Sequence, residues 1–97
     1  MKSFNEIRKI LRSHEDELRV RYGITNLSVF GSVARQEVRE GSDIDIIADI
    51  PLHVNLFELM GAELFLSDLL GIDVDLISRK EIRQELRDRI LAESVAI

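Results

Sequence analysis

Apolar residues recur at helical spacing in two long segments of the chain. The first lies on a charged background and begins with Ser3 and Glu6, which stand at the spacing of a capping box. This pattern predicts one helix over roughly residues 3–21. The second segment is rich in leucine and predicts a helix over roughly residues 54–70 that ends at Gly71.

Three shorter segments have the patterns of β-strands. Residues 27–30 form an apolar run that suits a buried strand, and residues 73–77 form a later strand. Residues 43–50 alternate with period two. Three aspartates and Ile47 therefore share one face of this strand, and four aliphatic residues share the other: Asp43, Asp45 and Asp49 against Ile44, Ile46, Ala48 and Ile50.

Two further helices complete the predicted order of elements. One covers residues 32–37, and the other begins at a second capping-box pair, Ser78 and Glu81, and runs toward Ala92. The order αβαβαβα predicts an α/β (α+β) fold, in which one domain over residues 1–97 contains a small mixed sheet of three to four strands packed with helices. The last four residues can add to the sheet, dock on a partner or fray.

Length and composition narrow the function. A chain of 97 residues has room for one domain but not for a catalytic domain with a separate substrate domain, so we expect another chain to deliver the substrate. The hydrophobic share of 45% and charged share of 32% are typical of a globular protein. There is no apolar run long enough to span a membrane and no signal peptide, so we expect a cytoplasmic location.

Charge and cysteine content restrict the ligands. A net charge of -5 argues against direct nucleic-acid binding, because an acidic surface repels phosphates. A basic partner protein, or divalent cations that bridge to a phosphate-bearing ligand, would relieve that repulsion. The chain has no cysteine, so any metal must be held by oxygen or imidazole ligands.

Aspartates on two predicted strands suggest a metal site. Asp43 and Asp45 point the same way from one strand, about 6.6 Å apart, and an aspartate of a neighbouring strand can complete a triangle. Asp75 is one candidate for this third carboxylate, and Asp73, on the same face, is a competing one. Oxygen ligands suit Mg²⁺, which usually takes one or two carboxylates together with water and substrate phosphates.

A second feature complements these carboxylates. Gly31 and Ser32 follow the first strand at the start of a helix, where backbone N–H groups can bind a phosphate and glycine permits its close approach. Taken alone, a Gly-Ser step is an ordinary helix cap, and Asp-x-Asp is common on solvated strands. Their combination between two predicted strands is much rarer.

The stretch from Phe30 to Ile47, FGSVARQEVREGSDIDII, resembles the signature of the polymerase-β-like nucleotidyltransferase superfamily. That signature is Gly-Ser, about ten residues, Asp-x-Asp and a later strand aspartate. The chain is most similar to the minimal nucleotidyltransferases (MNT) of prokaryotic HEPN–MNT toxin–antitoxin pairs. The stretches GIDVDLI and RILAESVAI extend the resemblance over nearly the whole chain.

The resemblance implies a nucleotidyltransferase fold and a role for each motif residue. Gly31 and Ser32 would bind the nucleotide triphosphate, and Asp43 and Asp45 would hold Mg²⁺, with two ions in the full site. Asp75 would be a metal ligand and the base for the incoming hydroxyl, because the family's aspartate stands between aliphatic residues.

Other positions are less specific. Arg35 can reach a phosphate or pair with a nearby glutamate, and Ser42 can contact the nucleotide or cap the turn before its strand. Asp49, near the far end of the strand, is expected to be merely solvated. Gln36 replaces the glycine that often follows Ala-Arg in the family, which leaves every proposed charged ligand in place.

The activity that the resemblance implies is Mg²⁺-dependent transfer of AMP from ATP to a hydroxyl, expected to be that of a tyrosine, of a cognate HEPN ribonuclease toxin. The chain would then be an antitoxin and part of a hetero-oligomer. One alternative is a non-catalytic antitoxin that inhibits its toxin by direct binding. Another is an enzyme that transfers a nucleotide to a small molecule or an RNA end.

Overall fold

The structure is a computed structural model that describes residues 3–30 and 43–97. Ser32, the short helix predicted over residues 32–37 and the turn that precedes Asp43 lie outside the described residues.

The predicted N-terminal helix is present as two helices. α1 (Phe4–Ser13) and α2 (Glu15–Tyr22) meet at His14, so the prediction of one continuous helix was wrong. The His14 ring Nδ1 lies 2.8 Å from the carbonyl oxygen of Ile10, the oxygen that would otherwise accept the His14 N–H in a continuous helix. The ring therefore competes with the backbone and ends α1 at this point.

Both ends of this helix pair are capped. The Ser3 hydroxyl accepts the Glu6 N–H at 3.2 Å, which confirms the first predicted cap. α2 ends at Gly23, whose φ of 75° lies in the left-handed region. A Cβ at Gly23 would also stand 3.0 Å from Cγ of Pro51, a tight contact, so glycine suits this turn both in backbone conformation and in space.

A four-stranded mixed sheet forms the centre of the fold. The strands are β1 (Thr25–Phe30), β2 (Ile44–Asp49), β3 (Val74–Ser78) and β4 (Val95–Ala96). Their order in the sheet is β3-β2-β1-β4; β2 and β3 are parallel, and the other two pairs are antiparallel. The three predicted strands are confirmed, and the last residues of the chain add to the sheet beside β1.

The hydrophobic core lies between one face of the sheet and helices α1, α2 and α3 (Leu56–Leu70). The predicted aliphatic face of β2 is confirmed, because its four side chains are buried: Ile44, Ile46, Ala48 and Ile50. Ile47, on the aspartate face, is also fully buried. The second face of the sheet is therefore not uniformly polar.

The last helix starts later than the second capping box predicted. Ser78 pairs with Ala48 as the last residue of β3, and its side chain makes no cap hydrogen bond. A short 3₁₀ helix, η1 (Arg79–Glu81), follows. Ile82 comes next and is buried, and α4 (Gln84–Ala92) begins only after it in the chain. The sheet register keeps Ser78 extended, so the predicted cap at this position was wrong.

No helix in the two described ranges is both long enough and apolar enough to cross a membrane.

Candidate active site

Two of the predicted carboxylates meet across the parallel strands of the sheet. Asp45 of β2 and Asp75 of β3 are register partners, at the end of the sheet where both strands begin. Neighbouring strands lie about 4.8 Å apart, so the two side chains stand side by side on one face. Asp43 comes two residues before Asp45 and is exposed, as is Asp75.

The pKa of the Asp45 carboxyl depends on burial and on its two acidic neighbours, Asp75 and Asp43. Burial raises the pKa of the Asp45 carboxyl above its ordinary value, and the negative charges of Asp75 and Asp43 raise it further. Asp45 is half-buried, whereas its two acidic neighbours face solvent. The charges of Asp43 and Asp75 thus repel that of Asp45 at the end of the sheet where β2 and β3 begin, and a cation placed among them would relieve that repulsion.

The structure separates the two candidates for the third carboxylate. Asp73 precedes β3, and its backbone carbonyl accepts the Ile44 N–H at 2.8 Å. Asp75 stands directly opposite Asp45, and it contributes to the raised Asp45 pKa. Of the two, Asp75 is the carboxylate that the sheet register brings to Asp45.

The residues predicted to bind nucleotide belong to the segment between β1 and β2. Gly31, Ser32, Arg35 and Ser42 lie outside the described residues, so their roles stay predictions. Phe30, which precedes Gly31 in the sequence, pairs with Asp45 across β1 and β2. β1 therefore ends beside the carboxylates.

The donor chemistry fits Mg²⁺, although the carboxylates are not arranged as a finished site. Across residues 3–30 and 43–97, no three histidine, aspartate or glutamate side chains stand close enough together to hold a metal ion. Mg²⁺ typically takes only one or two carboxylates from the protein and completes its shell with water and substrate phosphates. Asp43, Asp45 and Asp75 are ligands of that type, and the sheet register places Asp45 beside Asp75.

At the other end of β2, Asp49 takes part in an ion pair that the sequence analysis missed. Asp49 Oδ1 accepts a hydrogen bond from Arg79 Nη1 at 2.6 Å, and Asp49 Oδ2 accepts one from Asn26 Nδ2 at 2.6 Å. Arg79 Nη2 also donates to the carbonyl oxygen of Asn26 at 2.9 Å. The expectation that Asp49 is merely solvated was therefore wrong.

These contacts lower the pKa of the Asp49 carboxyl, first through the Asn26 hydrogen bond and then through Arg79. A signal for the pair was present in the sequence. Arg79 continues the period-two series of Asp75 and Ile77, which places it on the aspartate face of the sheet. Arg79 thereby links η1 to β2 and β1.

Comparison with known proteins identifies the family of this chain. The family model described as "Nucleotidyltransferase domain" matches residues 7–97. The protein adenylyltransferase MntA of Thermococcus cleftensis is 36% identical over 97 residues, which are 100% of this chain and 98% of that protein. A solved structure provisionally identified as a minimal nucleotidyltransferase is 32% identical to this chain and superposes on it with a TM-score of 0.81. The match covers 99% of this chain and 97% of that one.

A more distant likeness concerns the fold alone. A solved complex of a tri-AMPylated Shewanella oneidensis HEPN toxin with an MNT antitoxin contains a chain that is 20% identical, with a TM-score of 0.58. The match covers 96% of this chain and 66% of that chain. The family match over residues 7–97, together with the MntA relative at 36% identity, shows that this chain belongs to the nucleotidyltransferase domain family and is a nucleotidyltransferase enzyme.

Proposed function

We propose that this nucleotidyltransferase transfers AMP from ATP, with Mg²⁺, to a tyrosine hydroxyl of a cognate HEPN ribonuclease toxin and thereby acts as its antitoxin. The observation that carries the proposal is the placement of Asp75 opposite Asp45, with Asp43 close enough to raise the Asp45 pKa. The MntA relative, itself named a protein adenylyltransferase, supports AMP as the transferred group. The fold shared with an MNT antitoxin supports a HEPN-domain partner.

Each predicted residue has a role in this proposal. Asp43, Asp45 and Asp75 would hold Mg²⁺, and four residues of the β1–β2 segment would bind the triphosphate and its nucleoside: Gly31, Ser32, Arg35 and Ser42. Bound Mg²⁺ would supply positive charge to the phosphates and lower the pKa of the attacking hydroxyl.

The remaining chemistry belongs to the chain and its two substrates. The acceptor hydroxyl oxygen forms a bond to the α-phosphorus of ATP, the bond from that phosphorus to the bridging oxygen of the β-phosphate breaks, and pyrophosphate leaves. Asp75 accepts the hydroxyl proton. This role suits Asp75 because its side chain is exposed to an approaching acceptor, whereas Asp45 is half-buried.

Charge is consistent with a protein acceptor. The chain carries a net charge of -5, which disfavours RNA as the acceptor unless another component supplies positive charge. A protein acceptor with basic surface would instead be attracted. The active chain is therefore proposed to work in a hetero-oligomer with its acceptor.

A labelling experiment tests the activity. The purified chain is incubated with its HEPN-domain partner, Mg²⁺ and ATP labelled in the α-phosphate, beside an Asp43→Asn/Asp45→Asn control. We expect label on a tyrosine of the partner, located by mass spectrometry, with the intact chain only. Stable complex formation without label in either reaction would overturn the catalytic proposal and indicate an antitoxin that acts by binding alone.

Nucleotide choice is tested separately by isothermal titration with Mg²⁺. We expect ATP to bind more tightly than GTP or CTP. Equal affinity for the three nucleotides would overturn the assignment of ATP while leaving nucleotidyl transfer itself in place.

A further inference from the structure

Helix α3 exposes a row of large apolar side chains to solvent. Phe57 is 83% exposed, Leu56 69%, Leu64 64% and Met60 49%. Residues 56, 60 and 64 follow one another at intervals of four, and residue 57 is adjacent, so these side chains form one continuous strip on the helix surface. We call these four residues the α3 stripe.

The α3 stripe is not needed to attach α3 to the fold. The opposite side of the helix buries Ala62, Leu66 and Leu70 in the core. A single exposed leucine is ordinary on a protein surface. Four adjacent large apolar residues, one of them an almost fully exposed phenylalanine, are typical of a surface that binds another protein.

The charges of α3 indicate what kind of surface would bind there. The helix has three acidic residues and no lysine or arginine. Glu58 closes the capping box with Asn55, and Glu63 accepts the Leu76 N–H, so both have partners within the fold. Asp68 is exposed at the next interval of four after Leu64, near the C-terminal end of the helix, where the helix dipole disfavours a negative charge.

We propose that the α3 stripe docks an amphipathic helix of the protein partner, whose apolar face is bordered by a lysine or arginine that meets Asp68. This inference rests on the proposed function, because it takes the HEPN-domain acceptor as that partner. A second copy of this chain is a poorer occupant. Two α3 helices facing each other would bring acidic residues together with no basic residue from either helix to balance them.

Docking at the α3 stripe leaves the carboxylates open. α3 packs on the aliphatic face of the sheet, whereas Asp45 stands on the other face of β2. The docked helix and the reacting hydroxyl therefore occupy opposite sides of the sheet. A partner held by α3 must reach the carboxylates through an extended segment or a second partner subunit.

Two variants of the exposed stripe test the proposal. Phe57→Asp and Leu64→Asp are compared with Val20→Asp, which introduces the same charge at a side chain 73% exposed on α2, outside the α3 stripe. Affinity for the purified HEPN-domain partner is measured by isothermal titration, and ATP binding with Mg²⁺ is measured on each variant alone. Circular dichroism and thermal unfolding of each variant verify that it folds.

We expect Phe57→Asp and Leu64→Asp each to weaken partner binding about tenfold or more, with ATP binding unchanged. Val20→Asp should bind the partner as the wild type does. Asp68→Lys should also weaken partner binding, because the new positive charge repels the basic border of the partner. This loss of affinity should be larger at low salt concentration, where charges are less screened.

Two results would overturn the docking surface alone: partner affinity unaffected by both stripe variants, or a wild-type dimer in sedimentation velocity that Phe57→Asp dissociates. The second result would identify another copy of the chain as the occupant. A wild-type chain that binds ATP but never the HEPN-domain protein would overturn both this inference and the proposed partner. A wild-type chain that binds the HEPN-domain protein through the α3 stripe but transfers no AMP to it would contradict only the proposed chemistry.

Discussion

Asp45 and Asp75 stand directly opposite each other on the parallel strands β2 and β3. Burial, Asp75 and Asp43 together raise the Asp45 pKa, so ionisation of Asp45 costs the folded state stability. For a carboxyl with a raised folded pKa, the stabilising contribution is complete below the unfolded pKa of about 3.9 and is lost as the pH rises through the folded value. Near neutral pH, the repulsion between Asp45 and Asp75 therefore lowers the stability of the chain when no metal is bound.

The first prediction concerns stability without metal. Asp75→Asn should raise the free energy of unfolding at pH 7 in a chelator by about 0.2–1 kcal/mol, because it removes one of the charges that oppose Asp45. Added Mg²⁺ should stabilise the wild type more than the variant. Urea unfolding with chelator and then with Mg²⁺ measures both effects.

Asp88→Asn is the matched control, since it removes one exposed charge on α4, a helix that contributes none of the three carboxylates. It should change neither stability nor the response to Mg²⁺ appreciably. An Asp75→Asn chain that is less stable than the wild type in chelator would contradict the assigned repulsion.

The second prediction separates the two aspartates near β3. Asp75→Asn should reduce AMP transfer at least about a hundredfold, as Asp43→Asn and Asp45→Asn should, because each removes a proposed metal ligand. Asp73→Asn should keep most of the activity, since Asp73 contributes its backbone carbonyl, not its side chain, to the sheet. Initial rates of label incorporation measure the difference. Equal losses in the Asp73 and Asp75 variants would remove the reason for preferring Asp75.

The third prediction concerns the ion pair at the other end of β2. Asp49→Asn should lower the free energy of unfolding at pH 7 by about 1 kcal/mol, because the Arg79–Asp49 pair joins η1 to the sheet and is only partly exposed. The Asp49 pKa is lowered in the folded chain, so this stabilisation is present above an unfolded pKa of about 3.9 and is lost as the pH falls through the folded value.

Urea unfolding at pH 7 and in strong acid tests that sign. The difference in free energy of unfolding between the wild type and Asp49→Asn should disappear as the Asp49 carboxyl becomes protonated. Asp16→Asn serves as the control because the Arg19–Asp16 pair is largely exposed and should contribute little. A gap that widened in acid would show that the pair does not act through the charge of Asp49.

The fourth prediction concerns the outer edge of β3, the edge that does not pair with β2. The Leu76 N–H donates to Glu63 Oε2 at 2.8 Å, and the Val74 N–H donates to the Ser67 hydroxyl at 2.9 Å. α3 thereby covers the outward-facing N–H groups of an edge strand that could otherwise pair with another chain. Glu63→Ala should cost about 1–2 kcal/mol of stability and promote aggregation, because it leaves a part-buried N–H without its acceptor.

Glu63→Gln tests the mechanism, since its amide oxygen can still accept the Leu76 N–H. It should recover most of the stability lost in Glu63→Ala, as measured by thermal unfolding and light scattering. If Gln and Ala were equally destabilising, the negative charge of Glu63 would matter more than its hydrogen bond.

Much of this structure follows from local patterns in the sequence. The aliphatic face of β2 was predictable because side chains alternate along a strand, and α3 was predictable because its apolar residues recur at helical spacing. Gly71 ends α3 at the expected position, with a φ of 69° that suits glycine. The presence of Asp43 and Asp45 on one strand face also required nothing beyond that alternation.

Several features depended on contacts between distant residues. The delayed start of α4 depends on the pairing of Ser78 with Ala48 of a neighbouring strand. The partners of Asp49 come from β1 and η1, 23 and 30 residues away in sequence. No local pattern contains such distances, because they exist only after the sheet has formed.

By itself, the sequence determined which residues could be carboxylate ligands and on which strands they lie, since periodicity and residue type are local properties. Only the tertiary structure decided that Asp75, not Asp73, faces Asp45, that the last residues join the sheet and that Asp49 is paired with Arg79. The physical reason is the register between strands. A shift of one residue would turn every side chain of a strand to the opposite face, and the packing of the whole core selects the register.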